Sequence, residues 1–237
     1  DLCDCAPLGR VTMWYSRYER LADPRLPASL AVISVLTLIT CVSITLADDT
    51  YIGGISYPYF SDTGRDPPAY YFFAIGLTVS ASLWITVCLA TGYYVLSILD
   101  AKQIGGHARR TAVVGVWFGV CAAPFLAILA IFDTANFATT HSLGAYCFFG
   151  LALVSVGCFA HTFHRLRGIV PASIRLAKSA RLKLAIAALL AVFVIIYLPI
   201  GLAITCSADR LTVSKCLSKD LGYSYCTDDM YKSGNDT

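Results

Sequence analysis

Long apolar runs alternate with short polar stretches along this chain. Five of them, at about 27–47, 69–98, 111–132, 142–164 and 183–205, are long enough to cross a bilayer as helices, which takes about 20 apolar residues. The second is long enough to tilt or to project beyond the membrane. The pattern predicts an all-α polytopic bundle over 27–205, preceded by a polar segment 1–26 and followed by a tail 206–237. Pro27 and Pro68 fall at helix starts, where a missing N–H costs nothing. Pro124 is expected to kink the third span, and Pro199 with Gly201 to loosen the end of the fifth. Gly115 and Gly119 in the third span, and Gly144, Gly150 and Gly157 in the fourth, permit close helix approach, chiefly within the molecule.

Between the first two runs lies a polar loop, 48–68, whose second half is dense in turn residues. Pro58, Gly64, Pro67 and Pro68 fall within twelve residues, which argues against a helix or strand running through it. Asp62-Thr63-Gly64 reads as a tight turn, with the carboxylate accepting backbone N–H bonds and Gly64 supplying positive φ. Tyr57, Tyr59, Phe60 and the Tyr70–Phe73 run suit a membrane surface.

Composition strengthens the membrane reading. Of 237 residues 57% are apolar and 14% charged, with mean hydropathy +0.66 and Glu19 as the single glutamate; a soluble domain carries about 25% charged residues. The net charge of +3 is too small to argue for nucleic acid. Its distribution says more. Thirteen Lys and Arg fall in 1–26, 99–110 and 165–183, against five in the alternate connections and the tail, which hold ten of the fifteen acids. By the positive-inside rule the N-terminus is cytosolic and the Asp62 loop lumenal or extracellular. The start at Asp1 is expected of a segment from a longer precursor, and no cleavable signal peptide is visible.

The cysteines divide the same way. Cys3 and Cys5 are plain thiols, or palmitate acceptors on a cytosolic end. Cys206, Cys216 and Cys226 allow one disulfide in an oxidising compartment, the third being free or paired with Cys41 or Cys147. Cys88, Cys121 and Cys158 read as apolar packing. Asn235-Asp236-Thr237 is a glycosylation sequon on the matching side.

Ser61-Asp62-Thr63-Gly64 followed by Pro67-Pro68 resembles the P-x-I-S-D-T-G-x-x-P-P-E loop of the FRAG/DRAM/Sfk superfamily. Asn136-Phe137 with His141-x-x-Gly144-Ala145 is similar to that family's N-F-Q…H-x-x-G-A segment, and order and spacing agree over roughly 27–205. Phe60, Ala69 and Ala138 depart from the pattern, standing where the family has an aliphatic residue, an acid and a Gln. The resemblance implies six helices, the sixth beyond Thr237, and a role in lipid handling in an endomembrane (Golgi- or lysosome-like) or the plasma membrane. Relatives of this kind include an autophagy modulator, scaffolds recruiting a phosphatidylinositol 4-kinase, and a protein needed for GPI-anchor lipid remodelling.

Candidate chemistry is sparse. Asp62, Asp133 and His141 share one side near helix ends, where a carboxylate could orient the imidazole for general-base or metal work. The simpler reading, that they cap turns and helices, is favoured, because no nucleophile or third ligand accompanies them. Asp62-Thr63-Gly64 also spells the aspartic-protease triplet, but that chemistry needs a second carboxylate copy, which the chain lacks. His161 and His164 read as a solvated helix end rather than as metal ligands. Arg165, Arg167, Arg175, Lys178, Arg181 and Lys183, interleaved with aliphatics, are candidates to hold anionic headgroups, although any cytosolic loop is basic. No Asp, Glu, Lys or Arg occupies the central turns of the spans, which argues against an ion-coupled transporter. Thr37, Thr40, Ser43 and Thr45 in the first span can bond their own backbone or a neighbouring helix.

Three functions are consistent with this pattern: a non-enzymatic organiser of lipids or of a partner complex, a lipid-anchor remodelling enzyme or subunit, and an accessory subunit of a larger assembly. The first is preferred, with membrane lipids and membrane proteins as partners and no cofactor or metal.

Overall fold

The structure is a computed structural model. It describes residues 25–47, 60–134, 136–169 and 174–204, with a short piece between 217 and 229; over 168–169, 174–180, 197–204 and 228–229 only the backbone is described. Among these residues all regular structure is helical. The long helices are α1 (Arg25–Ala47), α3 (Ala69–Ala101), α4 (His107–Ile131), α5 (Ala138–Ile169) and α6 (Ile174–Ile204). A four-residue helix, α2 (Phe60–Thr63), precedes α3, and a π-helical turn spans Tyr225–Asp229.

Four helices, α1, α3, α4 and α5, are apolar and long enough to cross a membrane. The fifth expected span falls inside α6, partly on residues whose side chains lie outside the description. Several helix ends run past the hydropathy limits, at the start of α1, α4, α5 and α6 and at the end of α3 and α5. The 33 residues of α3 reach about 50 Å at 1.5 Å per residue. Helices α5 and α6 continue to Ile169 and from Ile174, so the basic stretch 165–183 is mostly helix rather than a loop on the leaflet. Hydropathy reports where apolar side chains stop; the backbone hydrogen-bond ladder extends past that point into polar residues with good helix propensity. In the same way α4 runs through Pro124, and α6 through Pro199 and Gly201 to Ile204.

Each long helix packs chiefly on its neighbours in sequence, in the order α1, α3, α4, α5, α6. Two buried clusters hold them. One joins Cys41, Phe73, Leu77, Leu126 and Leu129 at the end carrying α2, and the other joins Val95, Leu99, Ala112, Phe163 and Leu166 at the basic end. Between them the backbones come close. A Cβ on Gly144 would lie 3.0 Å from the Leu129 nitrogen, and one on Gly115 3.0 Å from the Cys158 Cβ, so these glycines seat α5 against α4. Gly119 serves the same contact, and Ser155 donates a 2.7 Å hydrogen bond to the Gly115 carbonyl. Gly150 and Gly157 do not: a Cβ on either meets open space, because their face of α5 looks away from α4. Trp84 adds a bond across α3 and α4, its indole N–H donating to the Gly119 carbonyl at 2.9 Å.

Candidate functional site

The site the sequence singles out is built where α2 and the α4–α5 connection meet. Gly64 ends the single turn of α2, its N–H donating to the Ser61 carbonyl at 3.3 Å. A short helix therefore does form within the proline-rich loop, because Phe60 to Thr63 contains no proline. Gly64 is not in the positive-φ region. It is needed for a different reason: a side chain there would occupy the space of the buried Phe73 ring. Thr63 is buried and gives its hydroxyl to the Phe60 carbonyl at 2.7 Å. Its own carbonyl accepts a 3.1 Å bond from Thr45 at the end of α1. Pro67 and Pro68, exposed and joined by a cis peptide, lead into α3, where Cys41 donates weakly to the Ala69 carbonyl at 3.6 Å. Arg65 pairs with its neighbour Asp66 at 2.7 Å.

The opposite wall is the segment 132–137. Asp133 takes the Asn136 N–H at 2.6 Å and both side-chain contacts of that amide, which folds the chain into α5. His141, 6% exposed, makes a 2.8 Å bond from Nδ1 to the Phe132 carbonyl just past the end of α4. A carbonyl only accepts, so Nδ1 carries the proton in this bond.

Two bonds join the walls. Thr134 donates to the Asp62 carboxylate at 3.2 Å, and Tyr70 donates to the Ile131 carbonyl at 2.9 Å. Asp62 and His141 thus grip one segment at Thr134 and Phe132, and the bond of His141 goes to a main-chain carbonyl rather than to either carboxylate. Asp62, Asp133 and His141 are brought to one end but do not form a relay. Within the turn the backbone N–H groups of Gly64 and Arg65 bond the Ser61 and Asp62 carbonyls. Sequence reading missed Thr134 and Tyr70. The signal for Tyr70 lay in its place, one residue into an apolar run, where a buried-reach phenol needs an acceptor. Among the described residues no group of three His, Cys, Asp or Glu side chains could hold a metal.

Other expected sites scatter. Arg165, Arg167 and Arg181 are exposed at the basic end, while Arg175 and Lys178 have side chains outside the description. Lys183 is half-buried, its ammonium 4.2 Å from the Phe163 ring centroid, so packing holds it. Cys226 is buried and disulfide-bonded, with Cys206 and Cys216 outside the described residues. Cys41 and Cys147 are free thiols, which removes them as its partners. Cys121, expected to pack inside, is exposed on α4.

Four membrane-length helices, a hydrogen-bonded 60–68 segment at one end and a basic surface at the other define an integral membrane protein of the polytopic helical class. The chain belongs to the Frag1/DRAM/Sfk1/Cwh43P N-terminal domain family, whose profile matches residues 24–212. Comparison with curated proteins and with solved structures gives no match.

Proposed function

We propose that this protein is a non-enzymatic multipass membrane protein that organises membrane lipids or a membrane partner complex. Its basic end faces the cytosol and its Ser61–Gly64 end faces the lumen or exterior, in an endomembrane or the plasma membrane. A fifth span within α6, a sixth beyond Thr237 and a tail disulfide at Cys226 belong to this reading. The single observation that carries it is the use of the polar groups at the loop end: Asp62 clamps Thr134, Asp133 caps Asn136 and His141 holds the Phe132 carbonyl. Side chains committed to holding two connections together support an ordered docking face better than a proton relay. The exposed arginines of α5 and α6 suit anionic headgroups.

A second reading, an enzyme or subunit acting on lipid-anchor acyl chains at the same face, draws on His141, whose Nδ1 bond to the Phe132 carbonyl leaves Nε2 as the nitrogen that a general base would use. Native purification with identification of bound lipids and proteins, run beside Asp62→Asn and His141→Ala, separates the two. The proposal expects a reproducible lipid class or stoichiometric partner, and variants that lose thermal stability or mislocalise. Variants that fold and traffic normally but abolish lipid-anchor processing would overturn it. A stoichiometric partner retained without any preferred lipid would narrow the role to that of an accessory subunit.

A further inference from the structure

At the basic end two imidazoles meet. His107 opens α4 and His161 lies on the last turns of α5; their ring centroids are 6.0 Å apart with planes at 86°. Both are exposed. The antiparallel seating of Gly115 beside Ser155 and Cys158 sets this register, placing the two histidines level about two turns away. Neutral rings make an edge-to-face contact at this distance; two imidazolium ions repel unless an anion joins them. The protein surroundings are cationic. Asp100, at the end of α3, pairs with Arg109. Among the described side chains the other charged or titratable groups at this end are Lys102 after α3, Arg110 on α4, His164, Arg165 and Arg167 on α5, and Arg181 and Lys183 on α6, the last over Phe163; Arg175 and Lys178 of α6 have side chains outside the description.

Below the pair the surface is apolar. Val114 and Phe118 follow His107 at helical spacing on α4, Val154 precedes His161 by two turns on α5, and all three are exposed. A cationic crown above an exposed apolar strip complements an amphiphile rather than a free ion.

We propose that His107 and His161 form a binding site for the anionic headgroup of a phospholipid, strengthened by acid, with the strip at Val114, Phe118 and Val154 taking its acyl chains. This rests on the headgroup reading of the basic end given above, and adds the pair, the ligand class and the pH sense. An anion beside an imidazole favours the protonated ring, so binding tightens as pH falls through the imidazole range and weakens above it.

The intact protein in mild detergent is titrated with dioctanoyl phosphatidylglycerol at about pH 5.8 and about pH 7.8, on either side of the imidazole midpoint. The phosphodiester charge is constant across that interval, so any pH dependence belongs to the protein. Binding is expected to be about tenfold tighter at the lower pH, the change that one unit of coupled pKa shift produces. The double variant His107→Gln, His161→Gln removes that dependence, and Arg165→Gln weakens binding equally at both pH values. Wild-type affinity that does not change with pH overturns the histidine site whether or not the variants fold. So does a pH dependence that survives in the folded double variant. Glycerol phosphate competing as well as the lipid overturns the acyl-chain strip and leaves a free phosphate as ligand. No preference over dioctanoyl phosphatidylcholine at either pH removes the headgroup reading itself.

Discussion

The two ends of this bundle are built on opposite principles. At the loop end, side chains bond main-chain carbonyls across the chain: Thr45 to Thr63, Tyr70 to Ile131 and His141 to Phe132. At the basic end most of the described cations are exposed, and cohesion comes from the apolar cluster around Leu99, Phe163 and Leu166, over which Lys183 packs. Losing a donor to a buried carbonyl costs about 1–3 kcal/mol, while an exposed ion pair such as Arg109 with Asp100 contributes about 0–1 kcal/mol. One end is therefore organised for shape, and the other is free to carry charge without supporting the fold.

The strongest attempt to break this contrast is Gly64→Val. Its side chain would overlap Phe73, and overpacking of this kind costs about 1–3 kcal/mol or more; thermal unfolding in detergent should show the largest loss of any substitution named here. His141→Ala follows, stranding the Phe132 carbonyl at about 1–3 kcal/mol. Wild-type melting for that variant would mean the loop end is not held as described. Tyr70→Phe removes one hydroxyl from a partly wet site and should cost about 1 kcal/mol, lowering the melting temperature slightly. Smallest is Arg165→Gln with Arg167→Gln, expected within about 0.5 kcal/mol of wild type. A melting shift as large as that of His141→Ala would erase the difference between the two ends.

The contrast also marks how far sequence reasoning reached. Long apolar runs located the four membrane-length helices because hydrocarbon demands length and apolarity, and both are local properties. Asp62, Asp133 and His141 were placed on one end by counting alone. Their pairings were not: Asp62 bonds Thr134, 72 residues away, and His141 the Phe132 carbonyl, neither marked by the local pattern, while Asn136 was marked as a motif residue but not as the partner of Asp133. Gly64 shows the same gap: its motif position was plain, but local turn chemistry suggested positive φ where the constraint is the ring of Phe73. Gly144 and Gly150 look alike in the chain, yet one touches the α4 backbone and the other meets open space. Rotation about a helix axis is set by the neighbouring helix.

What the amino-acid order determined by itself is the membrane as solvent, the helical class, the side on which charge collects and the family kinship. Those follow from composition and short-range pattern. Only the tertiary structure decided which polar groups hold the loop end, that the basic stretch is mostly helix, and that His107 stands beside His161. Such facts depend on helix register and facing, and register is fixed by packing between segments far apart along the chain.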